Sequence, residues 1–137
     1  MARFRSPALT LGQQIYSMER HFPSFFYKRV NNIPTWNGVL QPTSNSKVYR
    51  VKIVYRYNNQ HSKAPKVWII SPVIQRAKHR YKDNSLCLYD PKDGSWTPYM
   101  PIAETIVPWA ALWLLFHEIS LETDHWYGPE APHTGTK

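Results

Sequence analysis

The chain carries one thiol, Cys87, within His79-Arg80-Tyr81-Lys82-Asp83-Asn84-Ser85-Leu86-Cys87-Leu88-Tyr89-Asp90-Pro91, and Trp96 follows nine residues later. One thiol cannot close a disulfide inside its own chain, and one thiolate cannot build a cysteine-rich zinc site. Three roles remain: a packed apolar filler, an intermolecular crosslink or a nucleophile. A free thiol of pKa ~8.5 is only a few per cent ionised at neutral pH, so a nucleophile needs help from its surroundings. Lys78, Arg80 and Lys82 favour the anion; Asp83, Asp90 and Asp93 oppose it. Such a sulfur can accept an activated acyl group and hand it to an amine. The amine must lose a proton from a pKa of ~10.4, by desolvation or to a nearby carboxylate. Asp90 and Asp93 are the nearest carboxylates downstream, and Asp90 is the candidate for activating the acceptor. The developing oxyanion needs a hydrogen-bond donor, whose loss typically costs ~2.7–4 kcal/mol. All of this requires a sulfur that solvent and an incoming polypeptide end can reach.

Each residue also has a plainer reading. His79 suits a structural role, positioning the loop through its backbone. Asp90 before Pro91 is a turn former. Trp96 is an anchor packing the loop onto the following helix. Lys82 and Lys92 could be self-modification acceptors by proximity alone. His117, His125, His133 and Cys87 do not have a recognised zinc spacing, so no metal and no cofactor is expected.

The elements that position these residues begin with Ser6-Pro7, which reads as an N-cap with proline in the first turn. Leu11, Ile15, Met18 and Phe22 recur at helical spacing, leaving Gln13, Gln14, Ser17, Glu19 and Arg20 mostly on the other side. Pro23 ends the helix. Phe25 to Val30 reads as extended, Asn31-Asn32 and Pro34 as punctuation, and Trp36–Pro42 as a short strand. Thr43–Ser46 is a polar turn. Val48–Tyr57 is the clearest strand, with Tyr49, Val51, Ile53, Tyr55 and Tyr57 on one face and Arg50, Lys52 and Arg56 on the other. After a loop over Asn58–Ala64, Pro65 introduces the strand Val67–Ile70. Residues 73–101 show no sustained period and read as one long ordered loop, a length that usually marks function. Ile102–Leu121 reads as helix, with Pro108 marking a kink or a restart, and apolar residues around Trp109–Phe116 suit packing against both sheet and loop. Thr123–Lys137 reads as a tail. The order defines an α+β fold, a layer of antiparallel sheet covered on one face by helices.

A chain of 137 residues with 42% hydrophobic content fits one folded domain. The N-terminus lacks the apolar core of a signal peptide, and Thr105–Phe116 falls short of the ~20 residues of a membrane span. A soluble, cytoplasmic protein without membrane contact is the expectation. Net charge is +8, concentrated in Lys47, Arg50, Lys52 and Arg56, with Lys63 and Lys66, and in Arg76, Lys78, Arg80 and Lys82. Such a surface attracts an acidic partner or a polyanion, or is a solvated strand face. No nucleic-acid signature interleaves the aromatics with these cations, so nucleic acid is not the expected partner.

The order of His79-Arg80-Tyr81, Ser85-Leu86-Cys87-Leu88 and Trp96-Thr97-Pro98 resembles the ubiquitin-conjugating-enzyme core. That family places a helix before a four-stranded meander, then His-Pro-Asn, Gly-x-x-Cys-Leu and a Trp-Ser-Pro opening the central helix. Trp36-Asn-Gly and Ala64-Pro65 before Val67 also sit where the family has similar residues. The resemblance covers about residues 8–122, within a single truncated domain of residues 1–137 whose tail is 123–137. It implies that Cys87 is the nucleophile and His79 positions the loop. Tyr81 stands where the family has its oxyanion-donating asparagine and Arg80 where it has proline, so Asn84, Tyr81 or a backbone N–H must donate instead. Arg80, Lys82 and the Trp96 anchor become candidate partner-binding residues. The missing last two helices of the family, and Thr123–His133, are similar to compact bacterial conjugating-enzyme-like proteins of cyclic-oligonucleotide-based anti-phage signalling (CBASS) operons. The resemblance implies action on the C-terminus of a cGAS-like nucleotidyltransferase. The chain shows no phosphate-cradling glycine loop, so it does not spend ATP itself, and the acyl group is activated by a separate enzyme or the transfer uses a different route. The alternative is an inactive binding module of the same fold, docking an acidic partner or its tail through the basic strands.

Overall fold

The first helix starts where side chains satisfy its free N–H groups. In the computed structural model, which describes residues 8–57, 64–74, 79–88 and 96–128, helix α1 spans Leu11–His21. The Thr10 hydroxyl accepts from the Gln13 N–H at 3.1 Å, and the Gln13 carboxamide oxygen accepts from the Thr10 N–H at 2.9 Å. This reciprocal capping box makes Thr10 the N-cap rather than Ser6; Ser6 and Pro7 lie outside the described residues. The helix ends ahead of Pro23, its last turn closed by the Phe22 N–H on the Met18 carbonyl at 2.8 Å. Gln14, placed from sequence on the wet side, is fully buried. Its Nε2 donates to the Met100 carbonyl at 3.0 Å and its Oε1 accepts from the Ile102 N–H at 2.8 Å. The amide replaces water for two loop groups, which is why a polar side chain tolerates the core.

Four strands follow and pair in chain order as an antiparallel meander. They are β1 (Phe26–Val30), β2 (Ile33–Leu40), β3 (Tyr49–Val54) and β4 (Lys66–Ser71). Asn31 and Asn32 both take positive φ, 52° and 64°, which gives the two-residue hairpin between β1 and β2 its required twist. Strand β2 therefore begins three residues before Trp36 and takes in Pro34. The Pro34 carbonyl accepts from the Tyr55 N–H at 3.0 Å. Its missing donor faces the same neighbour, just where β3 has ended, so no interior ladder bond is lost.

The alternation read in β3 holds. Tyr49, Val51, Ile53 and Tyr55 are buried, Tyr57 is half-buried, and Arg50 and Arg56 are exposed. Tyr27, Trp36, Ile53 and Val67 form one cross-strand row on the core face. A Cβ on Gly38 would lie 2.4 Å from the Phe25 ring, so that glycine lets the buried Phe25 close over the sheet. One core joins Met18 of α1, this sheet face and the final helix.

Ile102–Glu104 forms a 3₁₀ turn, and after Thr105 helix α2 runs over Ile106–Thr123. The apolar run is thus broken at Thr105. Pro108 falls in the first turn of α2, where its absent N–H would have no intrahelical partner, so it marks a restart and not a kink. Ile106, Val107, Ala110, Trp113, Leu114 and His117 are buried, whereas Leu112 is exposed. Ile102–Thr123 is long and apolar enough to cross a bilayer by length and composition. Its buried side chains belong to the same core as the sheet, which marks it as a core helix. Near its end, the Glu118 carboxylate accepts from Ser46 Oγ and Tyr49 Oη, both at 2.7 Å, tying α2 to the β2–β3 connection. Burial and the Glu118 carboxylate push the Tyr49 phenol well above its usual pKa.

Candidate active site

Residues 79–88, read from sequence as part of one irregular loop, form a short two-stranded ribbon. Arg80 and Leu86 make an antiparallel bridge. Beside it the Tyr81 N–H donates to the Ser85 carbonyl and the Cys87 N–H to the His79 carbonyl, each at 2.9 Å. Positive φ at His79 (61°) and Asn84 (72°) bends the chain at its start and at its tip. The ribbon hangs on the sheet through the Leu86 N–H, which donates to the Val67 carbonyl at 2.9 Å.

Asp83 clamps this turn. Its Oδ1 accepts from the Ser85 N–H at 2.9 Å and from Ser85 Oγ at 2.6 Å, while its Oδ2 pairs with Lys66. Its backbone carbonyl accepts from Trp68 Nε1 at 2.8 Å. The hydrogen bond from Lys66, and then that from Ser85, hold the Asp83 carboxyl down at about 2.

Cys87 is 3% exposed. Burial, reinforced by the Asp83 charge, pushes its thiol up to about 11. The expectation of a sulfur reachable by solvent is not met. Nor do the neighbouring cations win: Lys82 is exposed, Lys78 lies outside the described residues, and the shift favours the neutral thiol. Leu86 and Leu88, on either side of Cys87 in sequence, line a cleft of about 260 Å³ with Pro65, Tyr81, Trp96 and Trp109. Cys87 does not line it, in keeping with the alternation of side chains along an extended backbone.

The other named residues are placed as follows. The His79 carbonyl, which holds the Cys87 N–H, also accepts from Trp113 Nε1 at 3.2 Å. The His79 ring stacks on Trp126, centroids 4.2 Å apart. Trp126 in turn packs against Trp113 and Phe116, at 5.7 and 5.9 Å. It reaches them because Asp124, in the left-handed conformation, caps α2. Asn84 stands exposed at the ribbon tip, its N–H committed to the Tyr81 carbonyl at 2.8 Å. Tyr81 is half-buried, and burial, then the charges of Cys87 and Asp83, raise its phenol pKa. Arg80 is half-buried, with Nε buried and without a hydrogen-bond partner among the described residues. Trp96 packs edge-on against Tyr55 at 5.6 Å, and its Nε1 donates to Thr105 Oγ1 at 3.1 Å. Asp90, Asp93 and Lys92 lie outside the described residues, as does His133. Sequence reasoning missed Trp113 and Trp126 as supports of the ribbon. The available signal was the His125-Trp126-Tyr127 cluster just beyond the helix, dense in rings for a tail.

Helix, four-strand meander, cysteine-bearing ribbon and second helix are consistent with a ubiquitin-conjugating-enzyme-like core. A family model described as Type II CBASS E2 protein matches residues 14–134, and the chain belongs to that family of anti-phage defence proteins. No curated protein matches the chain.

Proposed function

We propose that this chain is a cysteine-dependent acyl-transfer enzyme that carries the C-terminus of a cGAS-like nucleotidyltransferase as a thioester on Cys87. Family membership and the position of the chain's one thiol in the residue order of the conjugating-enzyme motifs support the reading. The carrying observation is that Cys87 sits on a ribbon fixed to β4 through Leu86 and to α2 through His79 and Trp113. In the first step Sγ attacks the carbonyl carbon of an acyl group already activated by a separate enzyme. The C–S bond forms, the activating group departs, and the thiol proton passes to solvent or a base. In the second step an amine attacks the same carbon, the C–N bond forms, and sulfur leaves to regain a proton. Asp90 is the proposed acceptor-activating carboxylate, and Asn84 the proposed oxyanion donor. With the thiol at about 11, the thiolate fraction at pH 7 is on the order of one in ten thousand. The reading therefore requires donor engagement to uncover Sγ.

A second reading has an observation of its own. A buried thiol with a raised pKa suits a non-catalytic module that docks a protein partner. Coexpression with the nucleotidyltransferase and an activating enzyme separates the two. The enzyme reading expects a conjugate on non-reducing denaturing gels that is released by a thiol reductant, disappears in Cys87→Ala, and becomes a reductant-resistant, base-labile oxyester in Cys87→Ser. The docking reading expects unchanged partner affinity in Cys87→Ala and no covalent species in any sample.

A further inference from the structure

The four strands contain no aspartate or glutamate. On the face turned away from the core, strand pairing sets Phe26, Asn37, Lys52 and Trp68 in one row and Lys28, Thr35, Val54 and Lys66 in the next. An open groove of about 350 Å³ lies over Asn37 and Lys52 of the first row and Lys28, Thr35 and Val54 of the second, and extends to Val30, Ile33 and Arg56. Its floor includes Ile33, Val54 and Thr35, the last only 3% exposed although it lies on the outer face. Lys28, Lys52 and Arg56 stand around it. Among the described residues none of these three has a carboxylate partner, whereas Lys66 on the same face is neutralised by Asp83. Phe26, Val30, Val39 and Ile70 are exposed apolar neighbours on the sheet.

A solvated strand face accounts for cations in water, but not for a concave aliphatic floor between them. Three like charges around one groove repel each other, and apolar surface beside them stays wet. One ligand chemistry relieves both. We propose that this groove docks an acidic, amphipathic peptide segment of a partner protein. Carboxylates meet Lys28, Lys52 and Arg56, and an aliphatic side chain rests on Ile33 and Val54. A single-stranded nucleic acid fits less well, because it needs aromatic platforms. No aromatic ring among the described residues lines the groove, and Lys52 Nζ already lies over the Trp68 ring, 5.2 Å from its centroid. The docking does not use Cys87, so it stands apart from the acyl-transfer reading.

The test is a titration of the ¹⁵N-labelled full chain with a synthetic peptide alternating Glu and Leu, and separately with oligouridylate. The peptide is expected to shift the amides of Lys28, Thr35, Asn37, Lys52 and Val54, with affinity falling as salt rises. Lys28→Gln/Lys52→Gln should weaken binding tenfold or more. Arg20→Gln/Lys47→Gln, which removes equal charge elsewhere, should change it less than twofold. Cys87→Ser should leave it unchanged. Arg56 lies beyond the end of β3, so Arg56→Gln provides a second weakening variant that spares strand pairing. No peptide binding, equal loss in both double variants, shifts outside the groove, or oligouridylate occupying the groove in preference to the peptide would each overturn the proposal.

Discussion

At Cys87 two influences compete, and their relative size decides the chemistry. Desolvation outweighs every nearby cation, and the Asp83 charge adds to it, so the thiol is pushed above its ordinary range, up to about 11. Alkylation by iodoacetamide in the isolated folded chain should therefore be slow at pH 8 and climb with a midpoint near 11, while the urea-unfolded chain reacts with a midpoint near 9. Between those two values the folded chain keeps a proton that the unfolded chain has released. Stability contributed by the buried thiol is full below about 9 and lost as pH rises through about 11. Asp83 has the opposite sign. Its carboxyl falls from 3.8 to about 2, so its stabilisation is present above about 4 and lost as pH falls through about 2. Asp83→Asn should be less stable than wild type at neutral pH in urea unfolding, with the gap closing near pH 2. The same variant should lower the Cys87 alkylation midpoint, yet leave it above 9, because burial is the larger cause.

The elements hold the ribbon through contacts that cross the chain. Gln14 of α1 supports the approach to α2 through Met100 and Ile102, so Gln14→Leu strands a buried N–H and a carbonyl. The expected loss is about 1–3 kcal/mol in urea unfolding, despite the added apolar area. A variant as stable as wild type would show that Gln14 is not a strut. This strut was not legible in sequence, since helical periodicity scores glutamine as polar and is blind to a partner 86 residues away. The strand β3 was legible because its period of two is written in Tyr49, Val51, Ile53 and Tyr55. The start of β2 was not, since Pro34 reads as a breaker until Tyr55 supplies its strand bond. The cysteine ribbon was hidden for a similar reason. It rests on one bridge and the Asp83 side-chain clamp, and neither leaves a repeating pattern. The identity of the nucleophile candidate could be read from residue order, but its burial is a product of tertiary packing that residue order does not record.

Across the whole molecule, the two faces of one sheet differ in chemistry. The core face meets α1 and α2 in a single apolar cluster, and the outer face gathers cations without acids. The net charge of +8 is thus partly organised on the outer sheet face, close to Asp83, whose pairing with Lys66 and Trp68 brings that face to the edge of the cysteine ribbon. Membership in the Type II CBASS E2 protein family sets this arrangement in anti-phage defence. Whether the Cys87 sulfur carries the acyl group can be read by intact-mass spectrometry of a single-turnover reaction. The purified chain is mixed with its activating enzyme, ATP and the cognate nucleotidyltransferase, then quenched in acid without reductant. One adduct is expected, equal to the nucleotidyltransferase less one water, mapped to Cys87, released by hydroxylamine and absent in Cys87→Ala. A folded wild-type chain that stays unmodified while the activating enzyme is charged, or an adduct that persists in Cys87→Ala, would contradict the acyl-transfer reading.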